Sequence, residues 1–165
     1  MMRVLIVLIL ATAWAPDGLA QSLDIGGIDL RLGQDVPDAL KALSAYRVEF
    51  SDQNKAWFVT QRKGEVVEQL GHFSATQNKI SFILKAYAIG DDGDTPRIYT
   101  RAAKDVRQRG GNICTMREVE FADDQIDKIE TRCGVYRLTY SFPWMLDGSQ
   151  RVSAGISIAV GNRPY

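Results

Sequence analysis

Apolar residues at Ile28, Leu30 and Leu32 alternate with Asp29 and Arg31 up to Gly33, the period-two pattern of a strand with one buried face. The period then lengthens. Val36, Ala39, Leu40 and Leu43 fall on one stripe of a helix, with Pro37 tolerated in its first turn and Asp35 placed to cap the backbone N-H near Asp38. Ala56 to Gln61 and Val66 to Phe73 form a predicted hairpin around Lys63-Gly64, and Lys79 to Tyr87 returns after a polar turn at 74–78. A second helix follows Thr95 as N-cap and Pro96. Its apolar stripe is Ile98, Ala102 and Val106, and Gly110-Gly111 ends it. Ile113 to Phe121 and Ile126 to Cys133 read as a hairpin. Tyr136 to Phe142 and Val152 to Val160 then alternate as two strands, each expected to keep one wet face. Ile126 and Ile129 have opposite parity, so the cysteine hairpin needs a bulge or an exposed isoleucine.

This order of strand, helix, three strands, helix and four strands predicts the α+β class, an antiparallel β-sheet with two helices packed on one face. Phe73 and Phe121 each precede a polar turn and a strand bearing Ile80 or Ile126, with a helix upstream of both. The match suggests internal duplication of a helix plus β-meander unit.

Before residue 21 the pattern is different. Arg3, the apolar run from Val4 to Ala13 and the small-residue end Gly18-Leu19-Ala20 read as a signal peptide. Its strictly apolar part is shorter than the roughly 20 residues of a spanning helix. Residues 1–20 are therefore expected to be removed, leaving 21–165 as a single exported domain, periplasmic or secreted, with no membrane span. No cysteine at the cleavage point offers a lipid attachment site.

The stretch Ile28 to Leu43, with Leu32-Gly33 before a capped helix and a β-meander after it, resembles small bacterial envelope domains of the BamE (SmpA/OmlA) type. The repeated helix-and-meander plan is also similar to that of secreted β-lactamase inhibitor proteins. These resemblances imply a non-catalytic protein whose sheet or loops contact another protein. They transfer no individual functional residue.

Charge changes the picture little: 20 Lys and Arg balance 20 Asp and Glu. Neither nucleic acid nor an anionic membrane surface is favoured by that balance. The two cysteines of an exported chain, Cys114 and Cys133, predict a disulfide across the hairpin. Their spacing is too long for the Cys-x-x-Cys of redox or zinc sites.

Candidate chemistry is sparse. His72 is the single histidine, no Gly-x-Ser-x-Gly elbow is present, and multi-histidine zinc sites are excluded by count. Asp91, Asp92 and Asp94 lack the spacing of a calcium loop. Glu118, Glu120, Asp127 and Glu130 fit cross-strand charge pairing, Arg117 with Glu130 for example, better than a glycosidase pair. No catalytic residue, cofactor or metal ligand is assigned.

Binding surfaces are the stronger candidates. Arg97, Arg101 and Lys104 form a basic stripe opposite the apolar face of the second helix, either a solvated face or a docking surface for an acidic partner. Trp144, Met145 and Leu146 lie in an apolar connection where turn residues would be expected, either capping the core or contacting a protein. The expectation is a protein-binding module of the envelope whose partner is another envelope or secreted protein, held through Trp144, Met145 and Leu146 and oriented by Arg97, Arg101 and Lys104. The alternative is a small-molecule or glycan-binding module using Trp57 and His72. An enzyme working through His72 ranks third.

Overall fold

The computed structural model describes residues 21–87, 94–121, 125–141, 144–146, 150–152 and 155–162. Residues 1–20 and the Asp91-Asp92-Gly93 turn lie outside them.

The chain starts with a hairpin, β1 (Ser22–Ile25) and β2 (Ile28–Arg31), closed by Gly26 and Gly27 at φ 62 and 84°. Two consecutive positive φ angles make the tight turn that matches strand twist, and glycine adopts them without cost. A short helix, α1 (Val36–Ala42), leads into β3 (Arg47–Ser51), β4 (Ala56–Lys63), β5 (Val66–Thr76) and β6 (Lys79–Tyr87). The longer α2 (Thr95–Gly110) leads into β7 (Cys114–Phe121), β8 (Gln125–Cys133) and β9 (Tyr136–Ser141). A small hairpin of β10 (Trp144–Leu146) and β11 (Gln150–Val152) precedes β12 (Gly155–Gly161).

Eight strands form one antiparallel sheet in the order β3-β4-β5-β6-β12-β9-β8-β7. The last strand of each meander meets the other at the central seam, Ile158 opposite Lys85.

This architecture corrects the expected α+β class, because the described residues are mostly β and the two helices are not equivalent layers. Three features account for the difference. The β1–β2 hairpin takes up part of the sheet face assigned to helices, burying Leu23, Ile25 and Leu30 completely. Helix α1 is only 7 residues long against 16 for α2. Strands β1, β3, β10 and β11 occupy stretches read as loops or parts of longer elements. The two halves are correspondingly unequal: β1–β2 precedes α1, whereas the second small hairpin, β10–β11, lies between β9 and β12.

One core lies under these covers. Val36, Ala39 and Leu43 from the α1 region and Ala102 and Val106 from α2 pack with the hairpin against Val59, Phe73, Ile83, Leu138, Ile156 and Ile158. Helix α1 starts without the expected side-chain cap, since Asp35 pairs with Lys79 at 2.9 Å instead. Asp94, not Thr95, is the N-cap residue of α2. The cysteine hairpin contains its bulge, with Val119 opposite Lys128 but Glu120 opposite Ile126, so Asp127 is the extra residue.

A single glycine sets the distance between hairpin and sheet. A Cβ on Gly71 would sit 2.2 Å from the Leu84 carbonyl oxygen and 3.1 Å from Ile25 Cδ1. Gly71→Ala should therefore destabilise the fold by about 1–3 kcal/mol through forced overpacking, read as a lower urea midpoint with unchanged slope.

Candidate functional site

Alternation along the strands separates two faces. Ile129, Thr131 and Cys133 of β8 lie on the helix-covered face with Tyr136, Leu138 and Tyr140 of β9, while Glu130 and Arg132 lie on the other face with Arg137 and Thr139.

The clearest concavity on the covered face is the flank between α2 and the sheet edge. An apolar groove of about 300 Å³ is lined by Thr95, Pro96, Tyr99, Met116, Ile129 and Tyr140. Tyr99 packs edge-on against Tyr140 at 6.1 Å and forms the groove's inner wall. Beyond Tyr99 a recess of about 440 Å³ continues along the helix past Ala103 to Lys104, Arg107 and Asn112. Met116 is 68 % exposed, so the strand-side wall holds an apolar side chain in water.

Positive charge accompanies this groove. Arg97, Arg101, Lys104 and Arg107 are all exposed on α2, and no ion pair joins any of them to a described residue. Lys104 and Arg107 line the recess, while Arg97 and Arg101 continue the stripe on the outward side. Asp105, the acidic residue within α2, is engaged by Arg109 at 2.7 Å. Glu118, two residues beyond Met116 on the same face of β7, is the carboxylate on this flank.

Trp144, Met145 and Leu146 form β10, paired with Val152, Arg151 and Gln150, rather than an irregular connection. The hairpin starts shortly after Tyr140 and Ser141, where β9 ends beside the groove. Arg107 was not anticipated from the sequence, although its position three residues after Lys104 is a readable signal.

Trp57 and His72 are not brought together. Trp57 stacks on Phe73 at 5.2 Å on the covered face, whereas His72 lies between Phe58 and Phe82 on the opposite face and is 8 % exposed. Among the described residues no His, Cys, Asp and Glu group is placed to hold a metal, and no helix is long and apolar enough to cross a membrane.

Cys114 and Cys133 are bonded directly across the first rung of β7–β8. Three residues along, Arg117 holds Glu130, its guanidinium Nε donating at 2.8 Å. Glu130 is 5 % exposed. Burial by itself would raise its pKa, but the Arg117 hydrogen bond and the charges of Arg117, Arg137 and Lys128 outweigh it and hold the carboxyl below its usual range.

Comparison with protein-family models, curated proteins and solved structures finds no match.

The Glu130 pairing makes a signed prediction. A carboxyl depressed in the folded state contributes stability in full above its unfolded pKa of about 4.3. That contribution fades as pH falls through the lower folded value. Arg117→Gln should cost about 1–2 kcal/mol at pH 7, a figure moderated by the exposure of Arg117. Unfolding curves of the two proteins should converge as pH falls below about 4; a gap that stays constant into acid would contradict the assignment.

Proposed function

We propose that this chain is an exported, non-catalytic protein-binding module of the bacterial envelope, and that it docks an acidic, amphipathic segment of another envelope or secreted protein. The observation that carries this reading is the groove at Tyr99, Met116, Ile129 and Tyr140, continuous with the recess bordered by Lys104 and Arg107. Apolar side chains of the partner fill the first part. Carboxylates on its opposite side meet the cations of α2. Met116, exposed in the free protein, and the groove's tyrosines supply the burial that gives affinity, and the charges set orientation and rate. The hairpin bearing Trp144, Met145 and Leu146 extends the contact from the end of β9. Export rests on the signal-like pattern of residues 1–20, and the disulfide fits an oxidising compartment.

A photocrosslinking residue placed at Met116 should join the protein to one dominant envelope partner in intact cells. Charge reversal at Lys104 and Arg107 should cut the crosslinked yield about tenfold, equivalent to roughly 1.4 kcal/mol, and molar salt should act in the same direction. Trp144→Ala should weaken capture while leaving thermal stability nearly unchanged. Equal crosslinking by the charge-reversed protein would remove the acidic partner from the proposal, and no crosslink from Met116 would remove the groove.

A further inference from the structure

The end of the sheet carries a second recess with a different chemistry, between Arg132, Arg137 and Ala159 of the uncovered face and Gln21, Leu32 and Tyr136 of the hairpin side. It lies where the β8–β9 turn meets the end of β12, has a volume of about 410 Å³, and is lined by Arg132, Arg137, Gln21, Ser81, Asn162 and Val135 among others. Arg132 and Arg137 are direct cross-strand partners, so two guanidinium groups project from adjacent strands into one space. Like charges in that position oppose each other, and such a pair is favoured when something negative lies between them. The neighbouring carboxylate, Glu130, accepts from Arg117 and shares its charge with Arg137, but it does not line the recess. No carboxylate side chain is among the described residues of the lining, whereas Gln21, Ser81 and Asn162 supply neutral polar groups. Space for a guest comes from Ala159, the partner of Arg137 on β12, whose methyl group leaves the floor open.

We propose that this recess binds a doubly charged oxyanion of the phosphate class, free or carried on a small organic molecule. Two planar guanidinium forks can each present a pair of donors to tetrahedral oxygens, and their combined charge matches a phosphate dianion. The volume lies within the lower range of small-molecule sites. The site is distinct from the groove beside α2, since Arg132 and Arg137 lie on the opposite face of β8 and β9 from Ile129 and Tyr140 and no residue lines both.

Calorimetric titration of the disulfide-bonded protein with inorganic phosphate, glycerol 3-phosphate and uncharged glycerol tests it. Phosphate or its ester should bind while glycerol does not. Equal affinities would identify free phosphate as the guest, and tighter binding of the ester would identify an organic phosphate. Arg132→Gln and Arg137→Gln should each weaken binding at least tenfold, and Arg132→Lys should fall between them and the parent. Without ligand, Arg132→Gln should melt no lower than the parent, because the replacement relieves repulsion at an exposed position. The assignment is overturned if neither phosphate compound binds more strongly than glycerol, or if both glutamine variants bind as the parent does.

Discussion

Arg109 is the charge on which the assembly of the covered face depends. Its Nε donates to Asp105 at 2.7 Å within α2, its Nη2 to Asp24 on β1 at 3.2 Å, and its Nη1 to the Ser22 carbonyl at 3.2 Å. Asp24 also accepts from Lys85 on the central strand β6 at 2.7 Å, while the Tyr136 hydroxyl of β9 accepts from Ser22 N-H and donates to its carbonyl. One guanidinium thereby ties the end of α2 to the N-terminal hairpin, and through Asp24 and Tyr136 that hairpin is tied to both halves of the sheet. Two cations and two carboxylates balance, so the cluster avoids an uncompensated charge at partly buried positions. Burial disfavours the charge on Arg109, but Asp105 and Asp24 more than compensate and raise its pKa. The same desolvation, with the Asp105 and Asp24 charges, pushes the neighbouring Tyr87 phenol up and keeps it neutral.

That fixed arrangement has a consequence for the groove. Because Arg109 and the buried Ala102 and Val106 hold one side of α2 to the hairpin and sheet, no described residue covers the exposed cations on its opposite flank. The cations on that flank form no ion pair with a described residue, Glu118 included, whereas those facing inward are fully paired. The separation follows the rule that buried charge must be compensated while exposed charge is tolerated by water. It leaves the basic groove accessible without cost to the core.

Much of this was legible where periodicity was long and turns were well marked. Strand β6 spans Lys79–Tyr87 as the polar turn before it implies, α2 runs to Gly110, and the cysteine pairing and the Arg117–Glu130 contact follow from folding the hairpin about its midpoint. Short strands were not legible as such. Strand β1 offers only Leu23 and Ile25 as buried positions in four residues, although Gly26-Gly27 between isoleucines is a hairpin signal. In β3 the paired positions Val48 and Phe50 meet Val59 and Trp57 at a sheet edge, where burial is incomplete and the alternation weak. The candidate sites depended still more on register. Arg132 and Arg137 each occupy an ordinary polar position in an alternating strand, and only the tight turn at Gly134-Val135 sets them opposite one another. The contacts of Arg109 span 85 and 87 residues of sequence, beyond the reach of local pattern.

Strand β8 serves two surfaces at once. Ile129 faces the groove and Arg132 faces the anion recess, so a slip of one residue in its pairing would exchange the two chemistries. The outer strand β7 is exposed to such slippage, having β8 as its only neighbour in the sheet. Three devices oppose it. The disulfide closes the first rung, Cys114 to Cys133, and the bulge at Asp127 absorbs the parity conflict between Ile126 and Ile129 near the other end. Arg117 and Glu130 occupy a rung between them and resist a shift by charge, since moving either strand by one residue would send one partner to the other face. By restricting the unfolded chain the bridge contributes about 3 kcal/mol. Its position gives it a second role that a stability measurement alone does not register: it fixes which residues of β7 and β8 face the helix and which face away, and both proposed surfaces require that choice.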